Sequence, residues 1–180
     1  MKQEVVVAVI GLGRIGKKHA EVLVREVPNC RVKYAVDVFL NDAMRAWAQE
    51  LGIEQTTADA NDALRDPEVD AVYICTSTGT HSAYIMLAAQ AGKNIFCEKP
   101  LDSDLERLYA ALREVEKAGV KFQTGFMRRF DTNHNKVKQT LYSGEVGTPQ
   151  MIRLSCRDNV QSPFEYLKVS GGIFFDMMIH

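Results

Sequence analysis

Three side chains in this 180-residue sequence carry the chemistry needed to move a hydroxyl proton: Lys99, Asp176 and His180. Asp176 and His180 lie four residues apart, so on a helix they would share one face. There the carboxylate can orient the imidazole, and the imidazole can exchange a proton near neutral pH. The alternative is an ion pair or a cap on a helix surface. Gly171 and Gly172, just before the pair in an apolar segment, favour close packing against a ligand or another backbone.

Lys99 is flanked by Glu98 and Pro100, directly after a short apolar run, Asn94–Cys97, that predicts a strand. A residue before proline is held out of the helical region, which restricts where its ammonium group points. On an arbitrary loop such a lysine would be solvated. Open α/β sheets, however, bind ligands at the carboxyl ends of their strands. We therefore expect Lys99 to polarise a substrate oxygen, and both Lys99 and Glu98 to lie near a cofactor.

Residues 11–16 read Gly-Leu-Gly-Arg-Ile-Gly, a G-x-G-x-x-G motif between a predicted strand and a predicted helix. The motif is weak alone, but strand–turn–helix is the context it needs. The first glycine permits a tight turn, the second lets the backbone approach a pyrophosphate, and the third lets the helix pack on the strand. The helix N-terminus offers N–H groups to phosphates. The predicted cofactor contacts here are Gly11, Gly13, Arg14, Ile15 and Gly16. A turn that serves only packing is the alternative.

Asp37 closes the second predicted strand, about two dozen residues after the motif, where a carboxylate can accept hydrogen bonds from the adenosine ribose. A 2′-phosphate would be repelled there and would need a nearby Arg or Lys. Val38-Phe39-Leu40 follows instead, and we expect Arg45 to be an ordinary solvent-facing charge. The sequence therefore favours NAD over NADP.

Thr76, Ser77 and His81 follow another predicted strand, Val69–Cys75, at the same edge of the expected sheet. Small hydroxyl residues there suit the ribose and phosphates of a dinucleotide. For His81, helix capping and cofactor contact remain equally open.

Short β-branched runs alternate with helical patterns along most of the chain, which predicts an α/β fold with a doubly wound, Rossmann-type parallel sheet. We assign residues 1–125 to this NAD-binding domain. Residues 126–180, where the alternation stops, are assigned to the beginning of a second, apparently truncated domain. Other predicted features are an N-cap at Asn41, a capping box of Ser103 and Glu106, a helix over Thr132–Tyr142 and a strand over Gln150–Cys156.

The composition excludes several classes of protein. With 22 Lys and Arg against 23 Asp and Glu, the net charge of −1 gives no electrostatic footprint for nucleic acid or an anionic membrane. No apolar run approaches the roughly 20 residues of a membrane span, and the start does not resemble a signal peptide. The four cysteines form no C-x-x-C pair, and no Cys/His cluster has metal-ligand spacing. We therefore expect reduced thiols, no metal and a cytoplasmic location.

Together these residues resemble the glucose–fructose oxidoreductase / inositol dehydrogenase family. The matching elements are the glycine motif, Asp37, Glu98-Lys99-Pro100 and the segment from Gly171 to His180. The stretch Phe126-Met127-Arg128-Arg129-Phe130-Asp131 is similar to the inositol 2-dehydrogenase branch in particular. The resemblance covers the whole chain.

The resemblance implies a Rossmann domain followed by an α+β domain built on a large open antiparallel sheet. It implies a catalytic set of Lys99, Asp176 and His180. The substrate contacts it implies are Lys99, Met127, Arg128, Arg157, Asp158, Asp176 and His180. Family members are about twice as long as this chain and form homo-oligomers through the sheet, so we expect an N-terminal portion that is a poor enzyme alone.

Three functions remain open from the sequence. The first is an NAD-dependent dehydrogenase that transfers hydride between a polyol or sugar hydroxyl, myo-inositol-like, and the nicotinamide. The second is a truncated, non-catalytic NAD-binding module that acts through a partner or oligomer, its apolar C-terminal segment serving as the interface. The third is a reductase of an imine or enone on the same fold.

Overall fold

The computed structural model describes residues 4–157, 159–161, 163, 164, 167 and 170–180. The chain divides into two compact units, residues 1–124 and residues 125–180. Each unit is described by itself below.

The first unit is built on one six-stranded sheet in the order β3-β2-β1-β4-β5-β6. Every neighbouring pair is parallel. The strands are β1 Val5–Ile10, β2 Cys30–Val36, β3 Gln55–Thr57, β4 Ala71–Ile74, β5 Asn94–Cys97 and β6 Phe122–Thr124. This order, in which the chain turns back at β1 and β4, is the doubly wound arrangement, so the predicted fold class is confirmed.

Helices connect the strands and are α1 Arg14–Glu26, α2 Asp42–Glu50, α3 Ala60–Arg65, α4 Thr78–Gln90 and α5 Leu105–Ala118. Alternate residues of β1 enter two separate buried clusters. Val6 and Ile10 pack in one cluster with Ile85 of α4 and Val115 of α5. Residues of the opposite face, such as Val9, pack in the other with α1 and α2. Burial on both faces explains why this strand reads as a continuous apolar run.

Capping side chains and a glycine set the ends of two helices. The Asn41 side chain accepts a hydrogen bond from the Met44 N–H over 3.1 Å, which confirms the predicted cap of α2. The predicted capping box at Ser103 is wrong. Asp104 is the N-cap of α5 and accepts from the N–H groups of Glu106 and Arg107. It directly precedes Leu105, the first helical residue, whereas Ser103 lies one residue further away. The same helix ends at Gly119, whose φ of 65° is left-handed.

Hydrogen bonds continue beyond the strands and align the carboxyl ends of the central four. The Gly11 N–H donates to the Val36 carbonyl over 2.7 Å, and the Cys75 N–H donates to the Ile10 carbonyl over 2.7 Å. The Glu98 N–H donates to the Ile74 carbonyl over 2.9 Å. The segments that follow β1, β2, β4 and β5 therefore begin side by side at one edge of the sheet.

The second unit contains a 3₁₀ turn, Met127–Phe130, a helix α6, Thr132–Tyr142, and a single helical turn, Ile173–Asp176. The helix has the predicted bounds. The predicted strand over residues 150–156 is wrong, because a strand needs a hydrogen-bonded neighbour and none of the described residues after Thr124 lies in a strand. Met151 and Leu154 of this segment are exposed. The open antiparallel sheet implied by the resemblance is therefore not formed by the described residues.

Among the described residues, no helix combines the length and apolar character needed to cross a membrane.

Candidate active site

The glycine turn packs tightly at its first and third glycines. Gly11 has a φ of 94°, and a Cβ added to it would lie 2.7 Å from the backbone of Cys75 and Thr76. A Cβ on Gly16 would lie 1.8 Å from the Gly11 carbonyl oxygen. Only glycine fits at these two positions, since β1, α1 and the end of β4 meet there.

Gly13 differs from the other two glycines because no atom lies within 4 Å of the place where its Cβ would be. It forms the N-cap of α1, and the first turn of that helix, Arg14–Lys17, contains no acidic residue. Both Arg14 and Ile15 are exposed there. The open space above the backbone and the positive end of the helix dipole fit a pyrophosphate.

Asp37 lies beside this turn and is hydrogen-bonded to it. Its Oδ2 accepts from the Leu12 N–H over 2.7 Å, and its Oδ1 accepts from the Phe39 N–H over 2.8 Å. Each carboxylate oxygen has a second lone pair, so the group can also accept from a ribose hydroxyl. Val38 and Phe39 are exposed next to it, at 63% and 81%. The Arg45 guanidinium donates to the Thr56 hydroxyl instead.

Thr76 and Ser77 lie between β4 and α4, at the same sheet edge. Ser77 is exposed and forms the N-cap of α4, and Thr76 is half-buried. The Thr80 hydroxyl donates to Thr76 Oγ1 over 2.8 Å, which fixes the start of the helix. Both residues therefore lie at the same sheet edge as the glycine turn, with the Thr76 backbone packed against Gly11.

His81 is 1% exposed. Its Nδ1 lies 2.8 Å from the Pro100 carbonyl oxygen, and its Nε2 lies 3.0 Å from the Thr76 carbonyl oxygen. The imidazole thus ties the loop after β4 to the loop after β5. Of the two functions that the sequence left open for His81, the structure favours neither, since both nitrogens face backbone carbonyls of these loops.

Glu98, Lys99 and Pro100 follow β5, and the Lys99–Pro100 peptide bond is cis. Lys99 is half-buried, and its N–H donates to Glu98 Oε2 over 3.2 Å. Two residues further on, the side chain of Asp102 is fully buried and pairs with the Arg107 guanidinium over 3.0 Å. The segment that carries Lys99 is thereby held at several points along its length.

His19, a half-buried residue of α1 that was not among the predicted site residues, also belongs to this site. Its Nε2 lies 2.7 Å from Glu98 Oε1. A histidine on an inward-facing helix position resembles ordinary core packing. The sequence feature that could have identified His19 is its position three residues after Gly16, on the helix that begins at the predicted cofactor-binding turn.

The second unit contains the remaining candidates. Arg128 donates from Nη1 to Cys156 Sγ over 3.3 Å. It therefore lies close to the residue that directly precedes Arg157. Met127 and Arg157 are exposed. Asp158 lies outside the described residues.

Asp176 and His180 do not lie in one helix, so the shared helix face that their spacing would allow is not formed. The helical turn ends at Asp176, and the Met178 N–H returns to the Ile173 carbonyl over 3.0 Å, so His180 lies beyond the helix. A single turn is marginal without packing that extends it. The His180 ring packs edge-on against Phe126 with 6.3 Å between centroids.

The described residues contain no group of three or more His, Cys, Asp or Glu side chains that could hold a metal ion. All four cysteines are free. Burial raises the pKa of the Cys75 and Cys97 thiols well above the usual range, so both remain unreactive thiols at neutral pH.

Comparison with known proteins identifies several inositol 2-dehydrogenases as relatives. The chain is 42% identical over 174 residues to the myo-inositol 2-dehydrogenase of Thermotoga maritima, covering 97% of this chain and 52% of that protein. It is 44% identical over 180 residues to the scyllo-inositol 2-dehydrogenase (NAD(+)) of Bacillus subtilis strain 168, covering 100% of this chain and 52% of that protein. The chain therefore spans about half the length of these curated relatives.

A solved structure of scyllo-inositol dehydrogenase from Lactobacillus casei, with bound cofactor NAD(H) and scyllo-inositol, aligns with a TM-score of 0.76 at 32% identity. The alignment covers 80% of this chain and 42% of that chain. The family described as "Oxidoreductase family, NAD-binding Rossmann fold" matches residues 5–126. The chain belongs to this oxidoreductase family, the one that the sequence resemblance indicated.

Proposed function

We propose that this chain is the N-terminal portion of an NAD-dependent oxidoreductase that transfers hydride between a hydroxyl of a cyclic polyol, myo-inositol-like, and the nicotinamide. The observation that carries the proposal is the alignment of the glycine turn, Asp37 and the Lys99 loop at one sheet edge. The relatives named as inositol dehydrogenases support the substrate class.

The cofactor is held by groups of the first unit. The open backbone at Gly13 and the N-terminus of α1 receive the pyrophosphate, and Thr76 and Ser77 continue the surface along the sheet edge. NAD, when bound, supplies the hydride acceptor or donor. Every other element of the chemistry belongs to the protein.

NAD is preferred over NADP because of Asp37. A 2′-phosphate next to this carboxylate would bring two negative charges together. The carboxylate is fixed by two backbone N–H groups, so it cannot turn away without breaking a hydrogen bond to the glycine turn. The exposed neighbours Val38 and Phe39 carry no compensating charge.

Lys99, Asp176 and His180 form the proposed catalytic set. The Lys99 ammonium polarises the substrate oxygen and favours loss of its proton, and His180 accepts that proton as the general base. Asp176 orients the imidazole or stabilises its charged form. Met127, Arg128, Arg157 and Asp158 are the proposed further substrate contacts, supported by the family resemblance.

The whole protein would be completed by the part that its relatives have beyond this chain. We propose that this part supplies the rest of the substrate pocket and a homo-oligomer interface. The exposed apolar side chains of the second unit support this, among them Ile173, Phe174 and Met178. A cytoplasmic location is proposed from the four free cysteines.

The test is NADH formation by the protein as its native gene encodes it, with myo-inositol and scyllo-inositol as substrates. Cyclohexanol is the matched control, since it has one oxidisable hydroxyl but none of the others. We expect NADH with at least one inositol, at a rate at least about 100-fold above cyclohexanol, which corresponds to about 2.7 kcal/mol of transition-state binding. NAD binding without NADH formation from either inositol would favour the non-catalytic module instead.

A further inference from the structure

A hydrogen bond between side chains joins α1 to the loop that carries Lys99. His19 Nε2 lies 2.7 Å from Glu98 Oε1, although the two residues are 79 positions apart in the sequence. Their side chains are only 28% and 19% exposed. Partial shielding from water makes such a contact stronger and more directional than a pair on the surface.

Aromatic packing fixes the His19 ring in place. The ring meets Phe96 edge-on with 5.0 Å between centroids and lies 5.8 Å from the Tyr73 centroid. Tyr73 and Phe96 are themselves stacked at 4.5 Å. Because the ring has neighbours on these sides, its Nε2 has a defined position relative to Glu98.

The Glu98 carboxylate passes this constraint on to Lys99. While Oε1 contacts His19, Oε2 accepts the backbone N–H of Lys99 over 3.2 Å. Burial of the carboxylate opposes its ionisation, but the hydrogen bonds and charges of His19 and Lys99 together outweigh burial, so the pKa of Glu98 is lowered. The group therefore remains an anion near neutral pH, with both oxygens available as acceptors.

A second, independent contact holds the other side of Lys99. The Pro100 carbonyl lies 2.8 Å from Nδ1 of the buried His81. Loss of the His19 contact would thus release one side of Lys99 while the segment remains attached to α4.

We propose that His19 is a positioning residue for Lys99, acting through the Glu98 carboxylate. This role rests on the proposed dehydrogenase function, because the position of Lys99 matters for catalysis only if its ammonium acts on substrate. Displacement of a catalytic group by about 1 Å can cost about 100-fold in rate. His19 also lies on the helix whose N-terminus receives the cofactor, so one element would fix both the pyrophosphate and the lysine.

Two substitutions separate positioning from packing. His19→Phe keeps an aromatic ring against Phe96 and Tyr73 but removes the donor to Glu98. His19→Gln loses the ring but keeps an N–H donor of similar reach. If His19 served only packing, the Phe variant would be benign and the Gln variant harmful. If His19 positions Lys99, the order is reversed.

The first readout needs neither cofactor nor substrate. Hydrogen exchange of the Lys99 amide, followed in the cofactor-free protein, reports whether the Glu98 carboxylate still accepts its N–H. We expect exchange at least about tenfold faster in His19→Phe and near-native exchange in His19→Gln. Glu98→Gln, which weakens the acceptor itself, should also speed exchange and serves if His19→Phe fails to fold. Wild-type Lys99 exchange in folded His19→Phe, or in Glu98→Gln where His19→Phe does not fold, would overturn the proposal.

The second readout is kinetic and uses the protein as its native gene encodes it. We expect kcat with the inositol substrate to fall about tenfold or more in His19→Phe, with KM and the NAD Kd within about threefold of wild type, and to recover in His19→Gln. His134→Phe is the matched control, because His134 pairs with Asp131 at 2.8 Å on the exposed surface of α6. An unchanged kcat in His19→Phe would contradict the proposal while leaving the dehydrogenase function intact. A wild-type protein that oxidises no inositol would contradict the function, and the exchange measurement would still decide whether His19 holds Lys99.

Discussion

The carboxylate of Asp37 accepts a hydrogen bond from the backbone N–H of Leu12, inside the glycine turn, over 2.7 Å. The residue proposed to bind ribose therefore also fixes the turn proposed to bind the pyrophosphate. Its second oxygen accepts the Phe39 N–H over 2.8 Å, so the carboxylate has a defined orientation in the protein alone. The shape of the turn and the proposed choice of NAD over NADP thus depend on one side chain.

Replacing Asp37 should change cofactor preference. Asp37→Asn keeps an oxygen for the Leu12 N–H but removes the negative charge. We expect NAD to bind about tenfold more weakly and the ratio of NAD to NADP affinity to fall about tenfold or more, a change of about 1.4 kcal/mol. Calorimetric titration with each cofactor measures this. Asp42→Asn, on the exposed first turn of α2, is the control and should leave the ratio unchanged. A wild-type ratio in Asp37→Asn would contradict the assigned role.

The second and third glycines of the motif, Gly13 and Gly16, should respond differently to substitution by alanine. Gly16→Ala would place a Cβ 1.8 Å from the Gly11 carbonyl oxygen, so we expect a loss of stability of about 1–3 kcal/mol or more. Gly13→Ala meets no atom within 4 Å, and Gly13 has a φ of −66° that alanine adopts easily. Its stability should stay within about 0.5 kcal/mol of wild type, whereas its NAD affinity should fall about tenfold.

Thermal unfolding and NAD titration of both variants test this contrast. Equal stability losses in Gly13→Ala and Gly16→Ala would mean that the turn serves packing alone. Full NAD affinity in Gly13→Ala would remove the pyrophosphate from this position.

Acid should weaken the fold through the Lys33–Asp66 pair. The Lys33 ammonium lies 2.7 Å from Asp66 Oδ2, and this hydrogen bond, with the Glu68 N–H, lowers the pKa of Asp66 from 3.8 to about 2. Since the folded pKa is below the unfolded value, the stabilisation is complete above about pH 4 and is lost as pH falls through about 2. Lys33→Met should therefore lower Tm at pH 7, and its difference from wild type should shrink as pH falls from 4 to 2.

Thermal unfolding between pH 7 and pH 2 measures that difference. Lys117→Met is the control, because Lys117 is 78% exposed and its distance to Glu114, 3.6 Å, is longer than that of the Lys33–Asp66 pair. A wild-type Tm for Lys33→Met at pH 7, or a difference that does not depend on pH, would contradict the assignment.

Removing the proposed acid–base groups should slow turnover strongly but spare cofactor binding. Lys99→Met and His180→Asn should each lower kcat about 100- to 10,000-fold, the usual contribution of a positioned proton-transfer group. The NAD Kd should stay within a few-fold, since neither group is proposed to hold the pyrophosphate. Lys117→Met again serves as the surface control. Rates equal to wild type in both variants would remove these residues from the mechanism.

The sequence predicted best those elements whose local pattern agrees with their final packing. The bounds of β5, Asn94–Cys97, and of α6, Thr132–Tyr142, were predicted as observed. No strand was predicted over β3, because Gln-Thr-Thr has no apolar alternation and becomes a strand through pairing with β2. The adjacent α3 spans only six residues, too few for a periodic pattern.

The site was predicted incompletely for a different reason. Motif spacing locates glycines, Asp37 and Lys99, but it cannot show that Glu98 meets His19 from 79 residues away. Nor could it show that both nitrogens of His81 face backbone carbonyls of two separate loops. The predicted strand over residues 150–156 failed on the same ground, since strand formation depends on a partner that the local sequence does not contain.

Direct transfer of hydride from a cyclic polyol is the central claim. It is tested by incubating the protein, as its native gene encodes it, with NAD and myo-inositol carrying deuterium at every ring carbon, and determining the mass of the NADH formed. We predict NADH that carries one deuterium, together with the corresponding ketone, and at least about 100-fold slower formation of both by Lys99→Met. NADH without deuterium, or no NADH from either myo-inositol or scyllo-inositol despite NAD binding, would contradict the account.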